Sequence, residues 1–151
     1  MEFIIPRPLK LEHDELHEQL RKATRESGAL GEAAIAVAKL MHPHFVKEEE
    51  YALPPLGLLP LLAKGKVTPD MAAVLPMTDK LKAELGQMLA EHKSIVDALR
   101  NLVDAAKRAN KSEHAEFAEK LILHAQTEEE VSYPTAILIG EYLKVKLNQS
   151  L

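Results

Sequence analysis

The residues with the clearest chemical potential lie in two nearly identical stretches. The first is His44-Phe-Val-Lys-Glu48-Glu49-Glu50, with Pro54 four residues past the last acid, and the second is His124-Ala-Gln-Thr-Glu128-Glu129-Glu130, with Pro134 at the same offset. A shift of 80 residues superimposes His44 on His124, Glu48 on Glu128 and Pro54 on Pro134. On a helix, a His and a Glu four positions apart project from one face, about 6 Å apart along the axis. Imidazole plus carboxylate at that spacing is a ligand pair for a transition metal. One His-x-x-x-Glu carries little weight, since 18 Glu and 7 His in 151 residues yield about one by chance. Two of them inside a longer shared pattern point to a duplicated half-site.

Four amphipathic helices are expected to position these residues, each with an apolar seam in alternating 4-3 spacing. The first covers about residues 9–26 and stops at Gly28, with Leu9, His13, Leu16, Leu20 and Ala23 on its seam. The second covers about residues 31–53, with Val37, Met41, His44, Glu48 and Tyr51 inward. Pro43 predicts a kink or break inside it. Glu49 and Glu50 fall off the seam and read as solvated. The third is capped by Thr78 or Asp79 and continues to about residue 109 along Leu81, Leu85, Met88, His92, Ile95, Leu99 and Leu102. The fourth begins with a capping box of Asn110 and Glu113 and carries Phe117, Leu121, His124, Glu128 and Val131. Pro134 kinks or ends it, and residues 136–147 add a helical turn or two. With little strand signal, the expected fold is all-α, an antiparallel up-down four-helix bundle.

Between the second and third helices lies a long connector, residues 54–77, broken by Pro54, Pro55, Pro60, Pro69 and Pro76 yet strongly apolar. Connectors of this length tend to be functional. Three readings stand for this one: a flap packed on the bundle, a homodimer surface, or membrane contact. It is too short and too broken to span a bilayer.

The 151 residues, 46% hydrophobic, suffice for one domain over 1–151 with its own core. The net charge of −4 arises from 19 basic and 23 acidic residues mixed along the chain, without the basic block that nucleic acid would require. Cysteine is absent, which excludes disulfides, thiolate metal sites and cysteine-held iron–sulfur clusters. No signal peptide or transmembrane span is visible, so a cytoplasmic location is expected. Hydrolase, P-loop and dinucleotide fingerprints are also missing.

Each expected helix has a His on its seam, and the second and fourth add a Glu one turn on. His13 to His44 is 31 residues, and His92 to His124 is 32. Four imidazoles and two carboxylates at one level of a bundle make a dinuclear site the natural assignment. His13 and His44 would bind one metal and His92 and His124 the other, with Glu48 and Glu128 bridging. Nitrogen and oxygen ligands with open positions, and room for a bridging oxo or hydroxo group, suit two iron ions and accept manganese or zinc. The alternative is a metal-free buried polar network, which two carboxylates among four imidazoles make costly.

These residues resemble the hemerythrin-like (HHE cation-binding) family. The resemblance covers about residues 9–134 and rests on Glu12-His13, His44-x-x-x-Glu48-Glu49, Glu91-His92, and His124-x-x-x-Glu128-Glu129 followed by Tyr133-Pro134. It implies a bundle holding a non-haem di-iron centre, with the four His as terminal ligands and the two Glu as bridges. Oxygen-carrying relatives have a fifth His on the third helix, where this chain has only His92. His17, one turn after His13, and His42, beside Pro43, are the candidates for an additional ligand, and His114 reads as exposed.

Three functions follow. The first is a di-iron protein that binds or reacts with a small oxidant or gas: dioxygen, peroxide or nitric oxide. Here the Tyr51 hydroxyl could hydrogen-bond a bound peroxide or could simply be packed, and Tyr133 has the same two readings. The second is a metal-handling or redox-sensing module without turnover. The third is a structural metal such as zinc.

Overall fold

The structure, a computed structural model, describes residues 1–149. Its long helices are α1 (Arg7–Thr24), α2 (Gly28–Lys47), α4 (Leu75–Arg108), α5 (Ser112–Thr127) and α6 (Tyr133–Gln149), with a short α3 (Leu59–Ala63) in the connector. Helices α1, α2, α4 and α5 pack as a four-helix bundle, and no strand occurs among the described residues.

The seams settle where the periodicity places them. Leu16, Leu20, Ala23, Val37, Met41, Leu81, Met88, Ile95, Leu99, Leu102, Phe117 and Leu121 are all buried. They divide into two cores. One fills the bundle between α1, α2, α4 and α5, from Leu20 to Leu102 and Phe117. The other joins the start of α4 to α6 and the connector, through Leu56, Leu58, Met71, Leu81, Met88, Tyr133 and Leu143. The polar residues His13, His44, Glu48, His92 and Glu128 are also buried, at seam positions between these two cores.

Two features follow from Pro54 and Pro134. A proline cannot donate to the carbonyl four residues back, and its ring crowds that carbonyl. In both repeats the chain answers with a π-helical turn, Glu48–Ala52 and Glu128–Ser132. In the first, Leu53 N–H donates to the Glu48 carbonyl five residues back, at 2.9 Å. One extra residue per turn rotates everything beyond it. Val131, expected on the seam, is therefore 56% exposed, while Ser132 and Tyr133 turn inward. Pro43 has no comparable effect: α2 continues through it, and the irregularity comes at Glu48 instead.

The connector is a flap on the bundle, built of 3₁₀ turns at Pro54–Leu58 and Pro69–Val74 around α3. At Gly57 a Cβ would lie 2.0 Å from the Ile4 carbonyl oxygen, so only glycine lets the N-terminal segment cross there. The C-terminal segment is not a turn or two but the 17-residue α6. It lies close against α4 because Gly140 leaves room for Thr78, whose Oγ1 would be 2.2 Å from a Cβ.

Helix starts differ from the expected caps. Helix α4 begins at Leu75, so Thr78 sits in its first turn and donates to the Leu75 carbonyl at 3.2 Å. Asn110, with φ of 55°, is the left-handed residue after α4 rather than a cap for α5, a role that Asn tolerates. Among the described residues, no helix is long and apolar enough to cross a membrane.

Candidate metal centre

Helix α1 brings in His13, α2 and its π turn His44 and Glu48, α4 His92, and α5 and its π turn His124 and Glu128. All six residues meet. His44, Glu48, His92 and Glu128 offer one ligand atom each within 4.8 Å of one another, and so do His13, His124 and Glu128. Glu128 is common to both groups. Its Oε1 lies 3.3 Å from His92 Nε2, and its Oε2 lies 3.4 Å from His13 Nε2 and 3.3 Å from His124 Nε2. Glu48 leans toward the first group, with Oε1 3.3 Å from His44 Nε2 and Oε2 4.0 Å from His13 Nε2. The imidazoles thus pair as His44 with His92 and His13 with His124, not as His13 with His44 and His92 with His124. Neighbours in the chain need not be nearest across the core.

Each Nε2 points inward and each Nδ1 outward to a carboxylate. His44 Nδ1 donates to Glu91 at 3.0 Å, His92 Nδ1 to Glu129 at 3.1 Å, and His124 Nδ1 to Glu12. His13 Nδ1 faces Glu49 at 3.8 Å, beyond hydrogen-bond reach. A carboxylate behind an imidazole fixes its tautomer, leaving the Nε2 lone pair free for a metal. Glu49 and Glu129, the acids that follow each bridge candidate, are 38% exposed at their side chains and also face imidazoles. The duplication is visible here too: Glu12 backs His124 as Glu91 backs His44, and Glu129 backs His92 as Glu49 faces His13.

Tyr133 completes the first group. Its hydroxyl donates to Glu48 Oε2 at 3.1 Å, and the same oxygen lies 3.1 Å from Nε2 of both His44 and His92. One phenolic proton faces three acceptors, so the pocket has an excess of lone pairs. Glu48 Oε1 and His124 Nε2 are likewise buried without a hydrogen-bond partner. Donor atoms ~2.1–2.2 Å from one metal lie ~3.0–3.1 Å apart along an octahedral edge. The separations around Tyr133 match that edge, so these residues fit a cation.

The electrostatics agree. Burial, with Glu128 beside it, pushes the Glu48 carboxyl well above the usual carboxylate range. Burial acts the same way on Glu128, but the Glu48 carboxyl and the His124, His13 and His92 imidazoles around it outweigh it and hold that carboxyl well below the range. Without a metal, the pair therefore shares one proton, held on Glu48. Burial also lowers His44, leaving it neutral, and raises the Tyr133 phenol far above its ordinary value. Glu91 is depressed to about 2: burial opposes ionisation, but Lys47, His44 and Gln87 more than offset it.

The remaining candidates lie elsewhere. The Tyr51 hydroxyl donates to Glu84 and sits 3.7 Å from Met88 Sδ, away from the imidazoles. His17 packs on the Phe45 ring and His42 is exposed, so neither joins a group of ligands. His114 is not exposed: it is 8% accessible, with Nε2 3.3 Å from Glu26. Tyr133 is the site residue that periodicity left undecided, and its signal was the repeated proline that forces the π turn.

Neither a curated protein nor a solved structure matches the chain. The Hemerythrin HHE cation binding domain does, over residues 5–136, a span containing every residue of both His/Glu groups. The chain belongs to the hemerythrin HHE cation-binding family.

Proposed function

We propose that the chain holds two iron ions, one in each His/Glu group, and uses them to bind or react with a small oxidant: dioxygen, peroxide or nitric oxide. The observation that supports this most is the sharing of Glu128 between two adjoining groups of buried donors. One carboxylate touching both groups suits a bridge between two cations. Nitrogen and oxygen donors without thiolate favour iron, with manganese or zinc as competitors.

His44, His92, Glu48 and Glu128 would hold one iron, with Tyr133 as a fifth donor. His13, His124 and Glu128 would hold the other, which has fewer protein ligands and more room for a small molecule. When bound there, reduced iron would supply electrons to an oxidant at an open position. The protein's own part is to orient the imidazoles through Glu12, Glu91 and Glu129 and to keep water out with an apolar core on each side. With cations bound, the Glu48 carboxyl and the Tyr133 phenol would each have released their proton to solvent, so that both could serve as anionic donors.

The test is to load metal-free protein anaerobically with ferrous iron, count the bound metal, and mix it with dioxygen, peroxide or nitric oxide while recording the optical spectrum. Two irons per chain and an oxidant-dependent change in absorption are expected. A single tightly held zinc, or iron that stays inert to all three, would contradict the proposal and leave a structural metal site.

A further inference from the structure

Three of the four outward imidazole nitrogens are hydrogen-bonded to a carboxylate, and the fourth is not. His13 Nδ1 is buried, in a residue only 3% accessible, and has no hydrogen-bond partner. Its potential partner, Glu49, faces it but stops short: Glu49 Oε1 accepts from Lys10 Nζ at 3.0 Å and stands 3.8 Å from His13 Nδ1. Lys10 also pairs with Asp14 at 3.2 Å, so its ammonium joins two carboxylates at the rim.

This loose corner has its own opening. A pocket of about 130 Å³ between α1 and α2 is lined by His13, Asp14, His17, His42, Phe45 and Glu49. Its inner wall is the unpartnered imidazole. Two more imidazoles and two carboxylates line the rest, and the Phe45 ring lies between His13 and His17, 4.7 and 5.9 Å from their rings. The other flank of α1 offers a contrast. There a larger pocket of about 430 Å³ reaches His124 past Leu11, Leu16 and Leu123; it too has two carboxylates, Glu12 and Glu15, but no imidazole besides His124.

We infer that the α1–α2 pocket is the cation entrance to the centre, with His17 and His42 as transient imidazole ligands and His13 as the last ligand to be locked. The inference rests on the metal-centre reading given above. A hydrated divalent cation has to exchange its waters for protein donors before it can cross an apolar shell. The pocket supplies those donors in sequence: exposed His42, half-buried His17, then His13 beyond Phe45. Imidazole and carboxylate suit the same metals as the centre itself. The Lys10 ammonium lies between Asp14 and Glu49 with its side chain 44% accessible, so the two carboxylates at the rim already pair with a cationic group that is open to solvent. Once Glu49 is released, it is the carboxylate placed to lock His13 Nδ1, completing the pattern already closed at the other three.

The test uses full-length metal-free protein and cobalt(II) as an optical probe, at pH 7.5 under nitrogen. A double variant His17→Ala, His42→Ala should bind cobalt about tenfold more slowly than the unaltered chain, the loss expected when a local cation-attracting site is removed. It should reach the same final stoichiometry and spectrum. A control double variant on the other flank, Glu15→Gln, Gln19→Ala, should load at the unaltered rate. Equal rates for the α1–α2 variant, or slowing by the control instead, would overturn the entrance. A changed final spectrum or stoichiometry would also overturn it, by making His17 or His42 a resident ligand. Failure of the unaltered chain to bind cobalt at all would instead overturn the centre, so the two failures are told apart.

Discussion

The half-site around His44–Glu48 and the half-site around His124–Glu128 share their ligands, their π turns and their prolines, yet they do not build the same surroundings. The 80-residue shift places Leu53 opposite Tyr133 and Phe45 opposite Ala125. Leu53 is buried in the core beside the connector, whereas Tyr133 puts a hydroxyl 3.1 Å from a Glu48 oxygen and the inward nitrogens of His44 and His92. Phe45 covers the His13 ring at 4.7 Å, where the other half has only a methyl group. The repeated positions set which atoms face the interior. The positions that do not repeat make one group rich in donors and the other sparse and accessible.

Breaking the shared ligand should have the largest effect. Glu128→Gln removes a donor from both groups and is expected to reduce bound iron from two per chain to less than one, whereas Glu48→Gln should spare the His13–His124 group and leave about one. Metal analysis after equal loading and desalting checks this; equal losses in the two variants would mean that the groups are alike. Next in size is Tyr133→Phe. It should retain both irons but lose the visible phenolate-to-iron absorption of the oxidised protein, read by optical difference spectroscopy. Retention of that absorption would show that Tyr133 is not a donor.

Two smaller effects concern how the tyrosine and the imidazoles are held. Gly140→Ala forces α6 away from Thr78, and with it the helix that begins at Tyr133; a loss of about 1–3 kcal/mol in chemical denaturation is expected. Glu91→Gln should show its cost through pH. The Glu91 carboxyl is held down to about 2 in the folded chain, below its ordinary value of about 4.5, so its contribution is complete above about 4.5 and fades as pH falls toward about 2. In the metal-free protein, the stability gap between the unaltered chain and this variant should therefore be widest near neutrality and close in acid. A gap that grows on acidification would contradict that sign.

Much of this was legible in the sequence, for a physical reason. Burial on one helix face imposes its period directly, so His13, His44, Glu48, His92, His124 and Glu128 could be placed inward from spacing alone. What spacing could not provide was anything set by a change of register or by packing between helices. The π turns displaced Val131 and brought in Tyr133, although nothing in Glu128-Glu129-Glu130-Val131-Ser132 itself is atypical of an α-helix. The pairing of His44 with His92 depends on how the bundle closes. His114 looked exposed because its partner, Glu26, is 88 residues away. Asn110 and Glu113 have the spacing of a capping box, but the tolerance of Asn for positive φ places Asn110 in the turn after α4 instead.

In the proposed centre, two iron ions would sit in unlike surroundings joined by Glu128. Mössbauer spectroscopy of protein loaded with ⁵⁷Fe(II) tests it most directly. Two quadrupole doublets of equal area are predicted, one for the donor-rich group with Tyr133 and one for the sparse group beside Phe45. A single doublet, or an iron count of one per chain, would contradict the account.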